Sequence, residues 1–313
     1  MPRVITVTPN PSIDLLFEAD TLVWDDANRV AMPRRRAGGQ GINVTRAVRE
    51  LGGESLAVTL LGGNTGQELR NLLDAEGIDV RAATAPGTTR TFVAVRERTS
   101  GRAMLINPVG PACSPQEETT LLHELDECVA AGDWVVSSGS VPPGFDANFH
   151  ARVRDRALAA GARVVVDGDG PALRAAAPGC TLLAPNLPEA ARLLDRRIDG
   201  VREAAAAARA LLDLGAHAAA VTMAAEGAVL ATRHLPTALH AWAPPAPPSA
   251  SAVGAGDAFL AALVMRLDGS EPAEALRYAV AAGTAVLHAS EDELVRKQDV
   301  ERLVRGIDVK EAG

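Results

Sequence analysis

Between Ser251 and Met265 the chain reads Ser-Ala-Val-Gly-Ala-Gly-Asp-Ala-Phe-Leu-Ala-Ala-Leu-Val-Met, and this run leaves little choice of fold. From Ala258 to Met265 every residue is apolar, so a helix that begins near Gly254 is apolar all round and must be buried in the middle of the molecule. Its start presents about four unpaired backbone N–H groups and roughly half a positive charge. Gly254 and Gly256 let another group approach that backbone, so an anion belongs there. Asp257, in the first turn, is expected to be held ionised by the same field. It is suited to taking a proton from a hydroxyl while a phosphoryl group is transferred. The plainer alternative is that Asp257 only complements the helix dipole.

The remaining motifs lie where strands end. Val4 to Val7 is a β-branched run that stops at Thr8-Pro9-Asn10-Pro11-Ser12-Ile13-Asp14. A Pro-rich loop of this kind places Asp14 at the C-terminal edge of a buried strand, the ligand side of an open α/β sheet, although Asp14 is equally read as a turn former. Residues 15 to 35 alternate too weakly for a core strand and read as a small excursion. Ala37-Gly38-Gly39-Gln40-Gly41-Ile42-Asn43 opens a helix whose Val44, Ala47, Val48 and Leu51 share a face. Its glycines free the backbone to approach a ligand, and Asn43 offers a donor and an acceptor there. The pattern matches neither the Walker loop nor the dinucleotide fingerprint.

Strand 56–61 and helix 66–75 follow, and then Thr91 to Val95 and Met104 to Ile106 form a hairpin about Ser100-Gly101, with Arg90 where it begins. From Ser114 short strands and longer helices alternate: helix to 131, strand 134–137, helix 147–160, strand 164–166, helix 172–177, strand 182–183, helices 189–195 and 202–214. That rhythm predicts a parallel sheet covered on both faces. Ser138-Gly139-Ser140, Asp167-Gly168-Asp169 and Asn186 with Glu189 occupy the strand ends. Two further strands, 219–223 and 228–231, turn at Glu226-Gly227. A Pro-rich stretch, Pro244 to Pro248, crosses to the central helix, and a helix over 274–289 packs beside it.

Composition narrows the partners. The net charge of −8 argues against nucleic acid and against an anionic membrane surface. Lys297 and Lys310 are the only lysines, so a cation deep in a site must be Arg or a metal. Cys113, Cys128 and Cys180 lack metal-ligand spacing and suggest reduced thiols. No run reaches the ~20 apolar residues that span a bilayer, and the N-terminus shows no signal-peptide pattern. The expectation is a soluble, cytoplasmic protein.

Six motifs in register, Asn10 to Asp14, Gly38 to Val44, Thr89-Arg90, Ser138 to Gly144, Pro185 to Glu189 and Val253 to Asp257, resemble the ribokinase-like (PfkB) sugar kinases over nearly the whole chain. Within them the chain looks like the phosphofructokinase branch, with 1-phosphofructokinase, the minor 6-phosphofructokinase and tagatose-6-phosphate kinase. The resemblance implies one kinase domain over 1–313: a three-layer α/β fold with a mostly parallel central sheet and a small β-sheet lid from about 15–35 and 91–106. It implies Asp257 as catalytic base and Gly254, Ala255 and Gly256 as anion hole. Asp14, Gly38, Gly39, Asn43, Ser138 and Gly139 would line the sugar site, with Arg90 on the phosphate already present. Asn186, Thr222, Gly227, Gly254 and Gly256 would hold the nucleotide, and Asn186 with Glu189 would organise magnesium.

ATP and Mg2+ are thus the expected cofactors, a sugar phosphate the expected partner, and a homodimer through the lid is open. An Arg fork suits phosphate, and a water-retaining magnesium needs only one or two protein groups. Three positions depart from the family pattern. Gln40 stands where Lys is frequent, Ala184 stands where Lys precedes Pro-Asn, and Thr222-Met223-Ala224-Ala225-Glu226-Gly227 replaces Ser-Leu-Gly-x-x-Gly. The last two fall on the nucleotide side. The expected reaction is phosphorylation of fructose 1-phosphate or fructose 6-phosphate to fructose 1,6-bisphosphate. Rivals are tagatose-6-phosphate kinase, a sugar or nucleoside kinase of the same fold, for which Arg90 has no use, and a non-catalytic sugar-phosphate-binding regulator.

Overall fold

Alternate residues of the central strands serve two different cores. In β1 (Val4–Thr8) Val4 packs on one side of the sheet while Ile5 and Val7 pack on the other. Trp134 and Val136 likewise oppose Val135 in β8 (Trp134–Ser138), and Val165 opposes Val164 and Val166 in β9 (Arg163–Asp167). Strands with apolar residues on both faces need helices on both, which is the three-layer arrangement of a parallel α/β sheet. The computed structural model describes residues 2–245, 252–289 and 293–312. Pro247, Pro248 and Ser251 lie outside the described residues.

After β1 come β2 (Ser12–Ala19), β3 (Arg34–Gly38), α1 (Gln40–Glu50), β4 (Ser55–Leu61), α2 (Gly63–Ala75), β5 (Val80–Thr84), β6 (Arg90–Glu97), β7 (Ala103–Ile106) and α3 (Pro115–Asp126). Between and beyond β8 and β9 lie α4 (Phe149–Ala159), α5 (Gly170–Ala176), β10 (Leu182–Leu183), α6 (Leu187–Leu194), α7 (Gly200–Asp213), β11 (Ala218–Thr222), β12 (Ala228–Thr232) and β13 (Ala238–Ala241). The chain closes with α8 (Ala255–Leu267), α9 (Pro272–Val286), α10 (Lys297–Val304) and β14 (Val309–Ala312).

The large sheet has ten strands in the order β14-β13-β12-β11-β10-β9-β8-β1-β4-β5. It is parallel from β5 to β11 and antiparallel from β11 to β14. One core holds α3 to α7, and the other holds α1, α8, α9 and α10. As its composition requires, α8 is buried from Asp257 to Val264, and burying each of Phe259, Leu260, Leu263 and Val264 contributes about 1.5–3 kcal/mol. Strand order reverses at β1, which pairs with β4 on one side and β8 on the other. The crevice above such a switch point is where open α/β sheets take their ligands.

A separate four-stranded sheet, β3-β2-β6-β7, stands apart from the ten. The stretch expected to be a loop ending at Asp14 is here corrected: pairing of Ser12 with both Gly38 and Arg90 starts β2 immediately after Pro11. Pro11 lacks only its own N–H, so it does not prevent the next residue from joining a ladder.

Candidate active site

The site is assembled from strand ends and two helix N-termini. Gly254 is the N-cap of α8 at φ 85°, a left-handed conformation that glycine adopts without strain, and a side chain there would strike Leu294. The Ala255 N–H is tied to Ala252 O and Ala258 N–H to Gly254 O. Among the described residues the N–H groups of Gly256 and Asp257 have no backbone acceptor, and a Cβ at Gly256 would meet open space. The start of α8 therefore presents two N–H groups without a backbone acceptor beside open space.

Asp257 is only 7% exposed. Burial pushes its carboxyl up to about 7, against the opposing pull of the Asn43 hydrogen bond and the charges of Arg46 and Arg36. The expectation that Asp257 is held ionised is corrected here: burial leaves its carboxyl near neutrality despite the neighbouring Asn43, Arg46 and Arg36. A relay orients it. Glu76 forks onto Arg46, whose Nη1 donates to Asn43 Oδ1 at 2.7 Å, and that contact fixes the amide so that Nδ2 donates to Asp257 Oδ2 at 2.8 Å. Among the described residues no side-chain hydrogen bond is made by Oδ1 of Asp257.

Asp14 lies against Gly38 so closely that a Cβ there would sit 2.1 Å from its Oδ1, which is why that position needs glycine. Ser12 Oγ donates to Asp14 Oδ1 at 2.6 Å, and burial raises the Asp14 carboxyl. Asp14 and Asp257 feel each other's charge, so α1, β2 and α8 converge on one spot. Beneath them Thr8 Oγ1, Ser138 Oγ and Asn10 Oδ1 are buried without a hydrogen-bond partner. Gly39 and Gly41 pack over Thr8, and Gly139 lies beside Gln40. Thr8 Oγ1 and Ser138 Oγ lie against Gly41, and Asn10 Oδ1 lies against Gly110.

Arg90 sits at the start of β6, and burial lowers its pKa. Its guanidinium donates to Asn10 O from Nε (3.2 Å) and Nη2 (2.9 Å), and from Nη1 to Pro108 O (3.1 Å) and the Asn107 side chain. It therefore also braces the start of the loop over 107–111, and residues 86–91 and 108–112 wall a cavity of about 580 Å³.

The stretches expected from the sequence to hold the nucleotide also meet. Asn186 bridges Thr222 in parallel, and Asn186 and Glu189 cap α6 reciprocally, Asn186 Oδ1 accepting from Glu189 N–H (3.0 Å) and Glu189 Oε2 from Asn186 N–H (2.8 Å). Gly227 accepts through its carbonyl from Met223 N–H at 2.7 Å. Asp167, which the sequence showed only as a polar strand end, lies between the two halves. Burial and the charges of Asp257 and Glu189 raise its carboxyl well above the usual range, and Gln40 Nε2 donates to it at 3.3 Å. Thr8, Arg36 and Arg46 were not singled out either, because their place depends on contacts far along the chain.

Asn186 and Glu189 present hard oxygen donors beside a region where three carboxylates repel one another, which fits a divalent cation. No group of three or more His, Cys, Asp or Glu among the described residues forms a chelating cluster. A cation here would keep most of its waters and lean on ligand phosphates.

Comparison with known proteins decides the family. The model of the pfkB family of carbohydrate kinases matches residues 8–295. The chain belongs to that family. With it comes the ribokinase-like α/β fold, shared with solved family members. The kinase is 35% identical over 304 residues to ATP-dependent 6-phosphofructokinase isozyme 2 of Mycobacterium tuberculosis, covering 96% of this chain and 88% of the relative. It is also 35% identical to 1-phosphofructokinase of Rhodobacter capsulatus, over 98% of both. Phosphofructokinase-2 from Escherichia coli in complex with fructose-6-phosphate superposes with a TM-score of 0.90 at 29% identity, over 98% of this chain and 99% of the other. The kinase is thus a phosphotransferase with an alcohol group as acceptor, of the phosphofructokinase type.

Proposed function

We propose that the kinase transfers the γ-phosphoryl group of ATP to fructose 1-phosphate or fructose 6-phosphate, making fructose 1,6-bisphosphate. The observation that carries the reading is Asp257: one carboxyl, poised at about 7, held by Asn43 beside the open amides of Gly256 and Asp257. Asp257 Oδ1 takes the acceptor proton, and the α8 amides stabilise charge on the transferring group. Asp14, Gly38, Gly39, Asn43, Ser138 and Gly139 position the sugar, and Arg90 holds its existing phosphate. Asn186, Thr222, Gly227, Gly254 and Gly256 bind the nucleotide. Asn186 and Glu189 would hold Mg2+, whose contribution is to neutralise phosphate charge.

A lid role for the small sheet belongs to the same reading, because β2 carries Asp14 and β6 carries Arg90. So does a homodimer through it: Trp24, Met32, Leu105 and Ile106 are 74%, 88%, 57% and 53% exposed on or beside that sheet. A cytoplasmic setting is supported by three free cysteines, and no helix among the described residues is long and apolar enough to cross a membrane.

The test is coupled ADP release across fructose 1-phosphate, fructose 6-phosphate, tagatose 6-phosphate and unphosphorylated sugars. Turnover is expected on a fructose phosphate; preference for tagatose 6-phosphate or a free sugar would replace the substrate, and binding without turnover would support the regulator.

A further inference from the structure

On the far side of Asp14 from Arg90 lies a second cluster of cations. Asp14 stands opposite Arg36 and Leu16 opposite Arg34 in the β2–β3 ladder, and directly paired residues share a face of the sheet. Facing them, α1 contributes Arg46 and Arg49, three residues apart on one side of the helix. Together with Arg35 these side chains line a cavity of about 390 Å³, bordered by Glu50 and Glu76 and floored by Leu16 and Ile78.

Both acids are already engaged. Glu76 is forked onto Arg46, and Glu50 accepts the backbone N–H groups of Leu294 (3.2 Å) and Val295 (2.8 Å). Arg35 is taken by Glu68. Of the five lining arginines, Arg35 is paired with Glu68 and Arg46 with Glu76, and the lining keeps a net positive charge. Nη2 of Arg36 is buried with no hydrogen-bond partner, and burial together with the neighbouring Arg46 charge lowers the Arg36 pKa to about 10. A buried charged donor without an acceptor is destabilising, and an anion in the cavity would supply the acceptor and the opposite charge at once.

We propose that this cavity binds the phosphoryl group of a small anionic metabolite and that its occupation slows phosphoryl transfer. The cavity volume leaves room for an organic body on the phosphoryl group, and arginine forks match its oxygens. The link to the reaction is electrostatic. Asp257 is faced by Arg36 from β3, by Arg46 and Asn43 from α1, by Asp14 from β2 and by Asp167 from β9. Of these, Arg36 and Arg46 favour its ionised form, and both line the cavity. An anion between them cancels that help, so Asp257 keeps its proton to higher pH and less base is present at neutrality. A rise of about one pH unit would leave about five-fold less base near pH 7.

Two measurements test this. Crystals soaked in tungstate, a strongly scattering phosphate analogue, should show an anomalous peak between Arg36, Arg46 and Arg49. The peak should vanish in Arg49→Glu, a change at an exposed position. Peaks confined to Arg90 or the α8 amides would overturn the site. In solution, inorganic phosphate should lower kcat about five-fold near pH 7 without raising KM for the sugar phosphate, and the effect should fade about two pH units higher. Arg36→Gln and Arg49→Glu should each remove it. Purely competitive inhibition, or a tungstate peak with no change in kcat, would overturn the regulatory role. The kinetic arm rests on the function proposed above and the crystallographic arm does not, so failure of one is distinguishable from failure of the other.

Discussion

Gly254, at the start of α8, takes φ 85° where its position requires it; Ala224, between β11 and β12, takes φ 51° while carrying a β-carbon. The family resemblance assigns both stretches to the nucleotide, and only the first has glycine at its left-handed position. The donor loop nonetheless keeps its shape, because Met223 N–H is bonded to Gly227 O and Glu226 N–H to Met223 O. Holding an alanine in the left-handed region costs about 1–2 kcal/mol, supplied by the surrounding fold. Ala184 adds to the asymmetry: half-buried against the α8 core, it offers no charge to a nucleotide. The start of α8 has the residue its backbone calls for, and the β11–β12 loop relies on tertiary support.

That contrast is broken most directly at Asp257. Asp257→Asn keeps the shape and the Asn43 contact but cannot accept a proton, so kcat should fall ~10²–10⁴-fold with binding constants changed only a few-fold. Near-normal turnover would leave Asp257 as a dipole partner only. In the wild type, kcat should rise with pH through about 7, because Asp257 acts when deprotonated. Flat turnover between about pH 6 and 8 would contradict that assignment.

Arg90→Ala is expected next. It should raise KM for the sugar phosphate by roughly 30- to 1,000-fold, about 2–4 kcal/mol, with KM for ATP nearly unchanged. An equal rise in both constants would show that Arg90 acts only by bracing Asn10 and Pro108.

The same Asp257→Asn protein carries a stability prediction. With its pKa raised from 3.8 to about 7, folded Asp257 holds a proton that the unfolded chain has released. Its contribution to stability is therefore full below about pH 4 and is lost as pH rises through about 7. Above that pH, Asn at 257 should be more stable than Asp by about 1–4 kcal/mol, read as a higher melting midpoint. An unchanged or lower midpoint would mean that the carboxylate is better solvated than its burial implies.

On the donor side the effects are smaller. Ala184→Lys should lower KM for ATP about five-fold, roughly 1 kcal/mol for one added charge contact. Ala224→Gly should stabilise the fold by about 0.5–1 kcal/mol by relieving the left-handed alanine. If neither variant changes ATP affinity or the melting midpoint, the two halves of the site do not differ in the way their backbones indicate.

Much of this was legible from local pattern. The β/α rhythm from Ser114 to Leu214 and the apolar run after Asp257 state their structure within a few residues, because both cores need continuous apolar faces. The elements that escaped are those whose identity comes from a neighbour. Strand β5 and the edge strands β13 and β14 are short, alanine-rich or polar, and become strands by pairing with β4, β12 and each other. The polar helix α10 packs against α9, and β2 was obscured by Pro11 although its pairing partners lie at residues 34–38 and 90–97.

By itself, the sequence determined that a buried helix begins at Gly254-Ala255-Gly256-Asp257, since glycine, alanine and an apolar run permit that start and few others. Tertiary structure alone decided what Asp257 is at neutral pH. Desolvation depends on everything packed around the group, and here it exceeds the pull of Asn43, Arg46 and Arg36. Structure alone also brought Asn43 to Asp257 across 214 residues and set Arg46 behind it. Those contacts exist only once α1 and α8 pack on the same face of the sheet, a relation that no local spacing records.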